Sequence, residues 1–257
     1  MLLAAGHLAR CIAFIDDDAS PAEGWLDRLL APLERYPKVG VAAGHVLDGA
    51  GQRLLNRHMV ADTLGRAFDL ADAAGAEEKV RETGAHRAFH TAMGCNMAFR
   101  RSALAEAGGF DPFYQYFLEE TDMVWRVLAA GYQFAAVPES RVLHRLGGNL
   151  ARKPSIAVEP RAVVIRSQIH YIGKFGKFTF PAAEIEACIW ERVLLDLEKI
   201  AWDSCFSGVE KTACGELQVR YLRTVAEEFR LDSNPDSSSL AGPSPTTHHA
   251  SRDANRS

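Results

Sequence analysis

An apolar segment that runs into three consecutive carboxylates near the start of the sequence constrains the fold more than any other feature. The segment reads IAFIDDDASPAEGWL, and the carboxylates are Asp16, Asp17 and Asp18. Residues 11–15 are strand-like, and a helix signal follows the acids directly. Strand, acidic turn and helix in this order predict an open α/β sheet that presents ligand groups at the carboxyl end of a strand.

The helix signal rests on three residues after the acids. Ser20 is a favourable N-cap, Pro21 suits the first helical position, and Glu23 stands where a capping box places its carboxylate. Leucines at helical spacing follow and stop before Pro37. The pattern predicts a helix over 22–36.

The three carboxylates indicate a cation site. Adjacent acids repel one another and raise one another's pKa unless a cation shares the site. Asp16 and Asp18 offer hard oxygen ligands for Mg²⁺ or Mn²⁺, which would in turn hold a substrate phosphate. The alternative interpretation is a solvated acidic turn in front of a helix.

Composition excludes several classes of protein. The chain has 257 residues, 47% of them hydrophobic, and a net charge of −4, so it can bury one core and lacks the basic face that nucleic acid needs. Its five cysteines contain no CxxC pair, which favours reduced thiols over a disulfide framework or a zinc site. No apolar run approaches the ~18 residues of a membrane span. These features predict a soluble cytoplasmic protein and leave association with a membrane surface open.

Further elements follow from hydrophobic periodicity and from Gly and Pro positions. We expect strands at 39–46, 95–100 and 132–137 (ended by Pro138), a helix at 119–130, loops and a short helix over 48–90, and long helical stretches at 156–173 and 182–230.

Two blocks of sequence, taken in order, resemble glycosyltransferase family 2. The first is IAFIDDDASPAEGWL, and the second is GCNMAFRRSALAEAGGFDPFYQYFLEETDMVWRVLAAGYQFAAVPESRVLHR; the likeness extends over residues 5–148. The resemblance implies an inverting enzyme with a GT-A fold, an α/β Rossmann-like mixed sheet. It also implies sugar transfer from a nucleotide-sugar, assisted by a metal and by a carboxylate base.

The resemblance places the donor and its metal at the acidic turn. It implies that Asp16 lies near the donor ribose, that Asp17 is the variable middle position, and that Asp18 coordinates Mg²⁺ or Mn²⁺ on the diphosphate. His144 would be a second contact to the metal or diphosphate. A satisfied core histidine is the alternative for His144.

The resemblance places the base in the segment LEETD. Glu120 stands at the position of the catalytic base, with Glu119 and Asp122 beside it. Because a Glu replaces the usual Asp of this acid pair, the choice of base between Glu120 and Asp122 stays open. Arg126 is expected to pair with Asp122 at i,i+4 spacing rather than to contact a ligand.

The acceptor side is assigned to Gly94 and Asn96, with Cys95 between them as a packing residue. A UDP-hexose and dTDP-rhamnose are both compatible as donors. A glycan or lipid-linked acceptor, as in polysaccharide biosynthesis, would place the protein in the cytoplasm at the inner face of the membrane.

The domain expectation follows from the position of the acidic turn. In the resembling family a nucleobase-binding βαβ region precedes this turn, and such a unit takes ~30 or more residues. We therefore predict an N-terminally truncated, partial GT-A domain over 1–150, a helical extension over 151–232, and a disordered tail over 233–257. The first alternative is a degenerate, non-catalytic module that binds a glycan or a partner protein. A metal-dependent phosphotransferase is less favoured because the sequence has no Gly-rich phosphate loop.

Overall fold

The computed structural model describes residues 9–84, 87–145, 158–206 and 208–232. The strands are β1 (Cys11–Phe14), β2 (Ala19–Pro21), β3 (Val39–Asp48), β4 (Leu54–Asn56), β5 (His58–Asp62), β6 (Ala67–Leu70), β7 (Ala88–His90), β8 (Met97–Arg100) and β9 (Gln133–His144). The helices are α1 (Trp25–Arg35), α2 (Ala73–Thr83), α3 (Arg101–Glu106), α4 (Glu119–Ala129), α5 (Val158–Lys174), α6 (Ala182–Phe206) and α7 (Lys211–Asp232).

Six of these strands form the central sheet. The order is β1-β8-β3-β9-β2, with β4 paired to β3 beside this path. Strands β3 and β9 run parallel and the other pairs are antiparallel. The sheet is therefore mixed, and the predicted α/β class is confirmed. A second sheet has the order β6-β5-β7.

Helices cover both faces of the central sheet because side chains alternate along each strand. Val41 of β3 packs in the cluster that contains Met123 of α4. The next residue, Ala42, packs instead with Leu29 and Leu33 of α1. All five side chains are fully buried. The sheet is thus the middle of three layers, and its strand ends carry the acidic turn.

The predicted start of the first helix is wrong. Helix α1 begins at Trp25, after Gly24 in the left-handed conformation (φ 68°), and Ser20 and Pro21 lie in β2. Strand β2 pairs with β9, so the backbone groups of this segment are satisfied by the sheet and no cap forms at Ser20. Pro21 is tolerated because β2 is an edge strand, where one missing N–H does not interrupt a ladder.

The segment over residues 48–90 contains more regular structure than predicted. The expected short helix is present as α2, but strands β4 to β7 surround it. These strands have three to five residues, too few for a periodic signal, and they exist because they pair antiparallel with neighbours.

The prediction that Pro138 ends the last strand is also wrong, because β9 continues beyond it. Val137 pairs with Gly44, and Arg141 pairs with His45, so the intervening residues of β9 form a bulge. A bulge accommodates proline because the ladder of backbone hydrogen bonds is interrupted there, so the missing N–H of proline leaves no acceptor without its partner.

The C-terminal helices form a separate cluster. Helices α5, α6 and α7 share a core that includes Ile165, Val193 and Tyr221, all fully buried. The helical stretch predicted over 182–230 consists of two helices, α6 and α7, with Gly208 between them at a φ of 68°. The break lets both helices pack against α5.

Within the described ranges, none of the helices is both long enough and apolar enough to span a bilayer. The predicted domain boundary at residues 150 and 151 and the predicted disordered tail over 233–257 lie outside the described residues.

Candidate active site

The acidic turn between β1 and β2 is held against the end of β9. Ala19 of β2 is registered with His144, and the backbone N–H of Arg145 donates to the carbonyl of Asp18 (3.1 Å). The β2–β9 pairing therefore fixes the position of the turn relative to His144, the last residue of β9.

Asp16, Asp18 and His144 converge in this turn. His144 Nε2 lies 2.9 Å from Asp18 Oδ1 and 3.6 Å from Asp16 Oδ2. The histidine is 7% exposed, whereas both carboxylate side chains are half exposed. Asp17 is exposed, and no described contact draws it into the group. The donors are thus open to ligand on one side and buried on the other.

The donor set fits a divalent cation. Ligands of one octahedral Mg²⁺ or Mn²⁺ at ~2.1 Å stand about 3 Å apart, close to the separations of the imidazole nitrogen from the two carboxylates. Burial raises the pKa of Asp16, and the charges of Asp18 and Asp17 raise it further, while His144 lowers it. A bound cation would relieve this repulsion. Nδ1 of His144 is buried and has no hydrogen-bond partner among the described residues.

Cys95 also reaches this group, although the sequence identified it only as a packing residue. Its sulfur, an oxygen of Asp16 and a ring nitrogen of His144 all lie within 4.8 Å of one another. The residue is 1% exposed, and burial together with the Asp16 charge raises the pKa of the thiol to about 12. In the sequence, Cys95 stands between Gly94 and Asn96. These three residues form a tight turn, and this turn brings the cysteine side chain near the acids.

Asn96, predicted to lie on the acceptor side, makes its contacts within the fold. Asn96 is fully buried; its carbonyl accepts from Trp25 Nε1 (2.7 Å), and its amide donates to the carbonyls of His45 (2.8 Å) and Ser140 (3.0 Å). Both amide hydrogens and the carbonyl oxygen of its side chain are engaged internally, so Asn96 helps to position the turn. Gly94, in the same turn, faces open space.

Helix α4 begins with Glu119 and Glu120, and the backbone of the two residues before it is strained. Phe117 and Leu118 both have left-handed backbone conformations (φ 76° and 71°). Such conformations cost about 1–3 kcal/mol each for non-glycine residues and cluster at functional sites. The strain turns the chain sharply so that the two glutamates stand at the helix N-terminus, where the helix dipole favours negative charge.

Burial raises the pKa of Glu120 to about 8, and the charges of Glu119 and Asp16 contribute to the rise. Nearby, Oε2 of Glu119 is buried with no hydrogen-bond partner in the described part of the chain. The charge of the acidic turn therefore adds to the effect of burial on Glu120.

Asp122, the predicted alternative base, lies among basic side chains. Asp122 is fully buried, accepts from Arg126 Nε (2.7 Å) and Tyr114 (3.3 Å), and is ion-paired with Lys174. A carboxylate enclosed by two cations cannot reach an acceptor hydroxyl. The predicted pairing of Arg126 with Asp122 is confirmed.

A match to a known family agrees with this arrangement. Residues 11–156 match the family described as glycosyl transferase family group 2. This range covers more than half of the chain, and the chain belongs to that family.

Two similar proteins come from Mycobacterium tuberculosis. The N-acetylglucosaminyl-diphospho-decaprenol L-rhamnosyltransferase is 27% identical over 147 residues, which cover 54% of this chain and 48% of that protein. The pre-mycofactocin glycosyltransferase is 27% identical over 142 residues, which cover 53% of this chain and 28% of that protein. The chain therefore spans half or less of the length of these relatives.

Two solved structures show a distant likeness. The crystal structure of GalNAc-T7 with UDP, GalNAc and Mn²⁺ has a TM-score of 0.44 and 17% identity, over 64% of this chain and 31% of that one. The mannosyltransferase PcManGT from Pyrobaculum calidifontis, in complex with GDP-Man and Mn²⁺, has a TM-score of 0.42 and 13% identity, over 88% and 63%.

Proposed function

We propose that this chain carries the catalytic and acceptor-binding part of an inverting glycosyltransferase. It would transfer a sugar from a UDP- or dTDP-sugar to a glycan or lipid-linked acceptor. The observation that carries the proposal is the cluster of Asp16, Asp18 and His144, which presents metal ligands at the acidic turn. Glu120, at the start of α4, supplies a carboxyl group whose pKa burial raises to about 8.

The first group would hold the donor. Asp18 and His144, with Asp16 beside them, are the residues that would bind Mg²⁺ or Mn²⁺ at the diphosphate. The cation supplies charge stabilisation to the departing nucleoside diphosphate. The half-exposed carboxylates leave room for phosphate oxygens on the solvent side. Asp17, exposed at the centre of the turn, would face the rest of the donor.

The second group would activate the acceptor. Inversion needs a base that takes the proton of the attacking hydroxyl, and Glu120 is our candidate because Asp122 is already ion-paired with Arg126 and Lys174. Its raised pKa makes the ionised form a stronger base than an exposed carboxylate. Glu119 maintains that shift through its charge. Gly94, open to space, would border the acceptor.

A lipid-linked acceptor is favoured by the name of the mycobacterial relative, whose acceptor is a decaprenol-linked sugar. We accordingly place the reaction at the cytoplasmic face of a membrane. The family match over residues 11–156 includes both the acidic turn and the start of α4, which supports a reaction of the same general type.

Metal-dependent sugar transfer tests the proposal. The full-length protein would be assayed with Mn²⁺ and with UDP-hexoses or dTDP-rhamnose, using a GlcNAc-diphospholipid acceptor. We expect Asp18→Ala and Glu120→Gln each to lose at least ~10²-fold in turnover, the usual scale of a lost catalytic base. Asp27→Asn, an exposed acid on α1, is the matched control and should retain activity.

Unchanged turnover in both variants would contradict the proposal. Binding of the glycan without transfer from any of the donors would favour the alternative, a non-catalytic glycan-binding module.

A further inference from the structure

Cys95 gives the proposed metal site a donor that a site for Mg²⁺ or Mn²⁺ does not need. The thiol is 1% exposed and lies within 4.8 Å of donor atoms on Asp16 and His144, on the buried side of the site. Asp18 Oδ1 lies 2.9 Å from Nε2 of the same histidine. One sulfur, one imidazole nitrogen and one carboxylate oxygen therefore lie close enough together to share an ion, with Asp18 next to the histidine.

This set of donors has a recognised chemical preference. Carboxylate oxygens suit Mg²⁺ and Mn²⁺, whereas a thiolate with an imidazole selects Zn²⁺ and related ions such as Co²⁺. Zinc sites bring together four sulfur, nitrogen and oxygen ligands at 2.0–2.3 Å, approximately tetrahedrally. The ligands come from three elements that are already fixed: the acidic turn, the turn before β8, and the end of β9.

The placement of Cys95 is held by the fold and does not depend on a ligand. The following residue, Asn96, is anchored by hydrogen bonds to Trp25, His45 and Ser140. Those contacts fix the backbone of the turn at residues 94–96, and with it the direction of the cysteine side chain. The sulfur is therefore presented to His144 before any metal arrives.

We propose that Cys95 is a ligand in this site, so that the site binds Zn²⁺ and Co²⁺ through a metal–sulfur bond in competition with Mg²⁺ or Mn²⁺. On binding, the Cys95 S–H bond breaks, the sulfur–metal bond forms, and the proton passes to the buffer. The inference rests on the proposed metal site, and it assigns to Cys95 a role in metal choice that the transfer reaction itself does not require.

Cobalt spectroscopy tests the sulfur contact directly. The full 257-residue chain, purified without a polyhistidine tag, would be titrated with Co²⁺ alone and followed by absorption. A thiolate ligand produces a near-ultraviolet charge-transfer band that oxygen and nitrogen ligands do not. We expect this band in the wild-type protein, its loss in Cys95→Ser, and its retention in Cys11→Ser, which changes a half-buried thiol of β1.

Competition with a chromophoric chelator gives a second readout. We expect Cys95→Ser to weaken Zn²⁺ binding by about tenfold or more while Mn²⁺ binding changes little. Thermal unfolding followed by circular dichroism would establish that the variant is folded. If serine destabilises the turn, Cys95→Ala serves as the second variant under the same criteria.

The outcomes separate the two proposals. A protein that binds Mn²⁺ but shows no charge-transfer band, with equal Zn²⁺ affinity in Cys95→Ser, overturns the role of Cys95 and leaves the proposed transferase site intact. A protein that binds none of the three ions overturns both the role of Cys95 and the metal site of the proposed function.

Discussion

Glu120 illustrates how burial sets the chemistry of a single residue. Its carboxyl group has a pKa raised to about 8, and only the ionised form can accept a proton from an acceptor hydroxyl. We therefore expect kcat/KM for sugar transfer to rise with pH and to level off above about pH 8. A pH series at saturating Mn²⁺ measures this. A rate that is already maximal near the ordinary carboxyl pKa of 4.5 would contradict the assignment.

The same shift predicts a stability effect that needs no substrate. A carboxyl whose pKa is raised on folding binds more protons in the native state than in the unfolded state, so ionising it destabilises the fold. Stability from Glu120 is present below pH 4.5 and is lost as pH rises toward about 8. Glu120→Gln removes this loss. We expect the variant to unfold at a higher temperature than the wild type at alkaline pH.

The control for this stability effect is acidic pH, where the two proteins should have similar unfolding temperatures because the wild-type carboxyl is then neutral as well. A Glu120→Gln protein that is less stable than the wild type at alkaline pH would show that the carboxylate is stabilised by its surroundings, contrary to the effect of its burial and of Glu119.

The contact between β3 and the bulge of β9 depends on a residue without a side chain. A Cβ at Gly44 would overlap the carbonyl oxygen of Ser140 and lie 2.5 Å from Asn96 Nδ2. We expect Gly44→Ala to cost about 1–3 kcal/mol of unfolding free energy, the usual cost of overpacking. Chemical denaturation measures it. Gly75→Ala, in helix α2 where a Cβ meets only ordinary contacts, should be neutral or stabilising by up to ~1 kcal/mol.

The Gly44 prediction extends to the site. The side chain of Asn96 holds the turn that presents Cys95, so displacement of this amide should also weaken metal binding. Equal metal affinity in Gly44→Ala and Gly75→Ala would show that the bulge and the turn are not coupled.

Elements with local signals were predictable from the sequence. Helix α4 and strand β3 lie close to their expected positions because apolar periodicity and Gly131 define them over short spans. The acidic turn was found for the same reason. The bulge at Pro138 and strand β2 were not predictable, since both depend on pairing between segments more than 90 residues apart.

The internal partners of the site residues were not predictable for the same reason. Asn96 has side-chain partners 44 to 71 residues away, and Asp122 is enclosed by Lys174, 52 residues later. A polar residue that is satisfied internally cannot be distinguished, in a sequence, from one that awaits a ligand. The position of Cys95 is the converse case: an apolar-looking residue that the fold places beside Asp16 and His144.

At the scale of the whole molecule, Lys174 connects the C-terminal helices to the sheet domain. Its ammonium group lies 2.8 Å from Asp111 and is ion-paired with Asp122. Asp111 also lies 3.0 Å from His170 Nε2. Although burial would raise the pKa of Asp111, the contacts with Lys174 and His170 hold it below its ordinary value. One lysine of α5 thereby links two acids of the catalytic half.

Lys174→Met should loosen this connection. The substitution leaves the buried Asp122 and the partly buried Asp111 short of a cation, and we expect a loss of about 1.5–3 kcal/mol, typical of hydrogen bonds to charged groups. Lys177→Met, which alters an exposed lysine of the next turn, should change stability by less than ~0.5 kcal/mol. Urea unfolding of both variants measures the difference, and equal losses would contradict the linking role.

The pairing of β2 with β9 makes the proposed ligand set depend on the register of these strands. Because successive side chains of a strand point to opposite faces, a slip of one residue in β9 would turn His144 away from Asp16 and Asp18. Only the correct register assembles the proposed ligand set. A divalent cation would then bind only correctly registered molecules, adding stability to them and none to slipped ones.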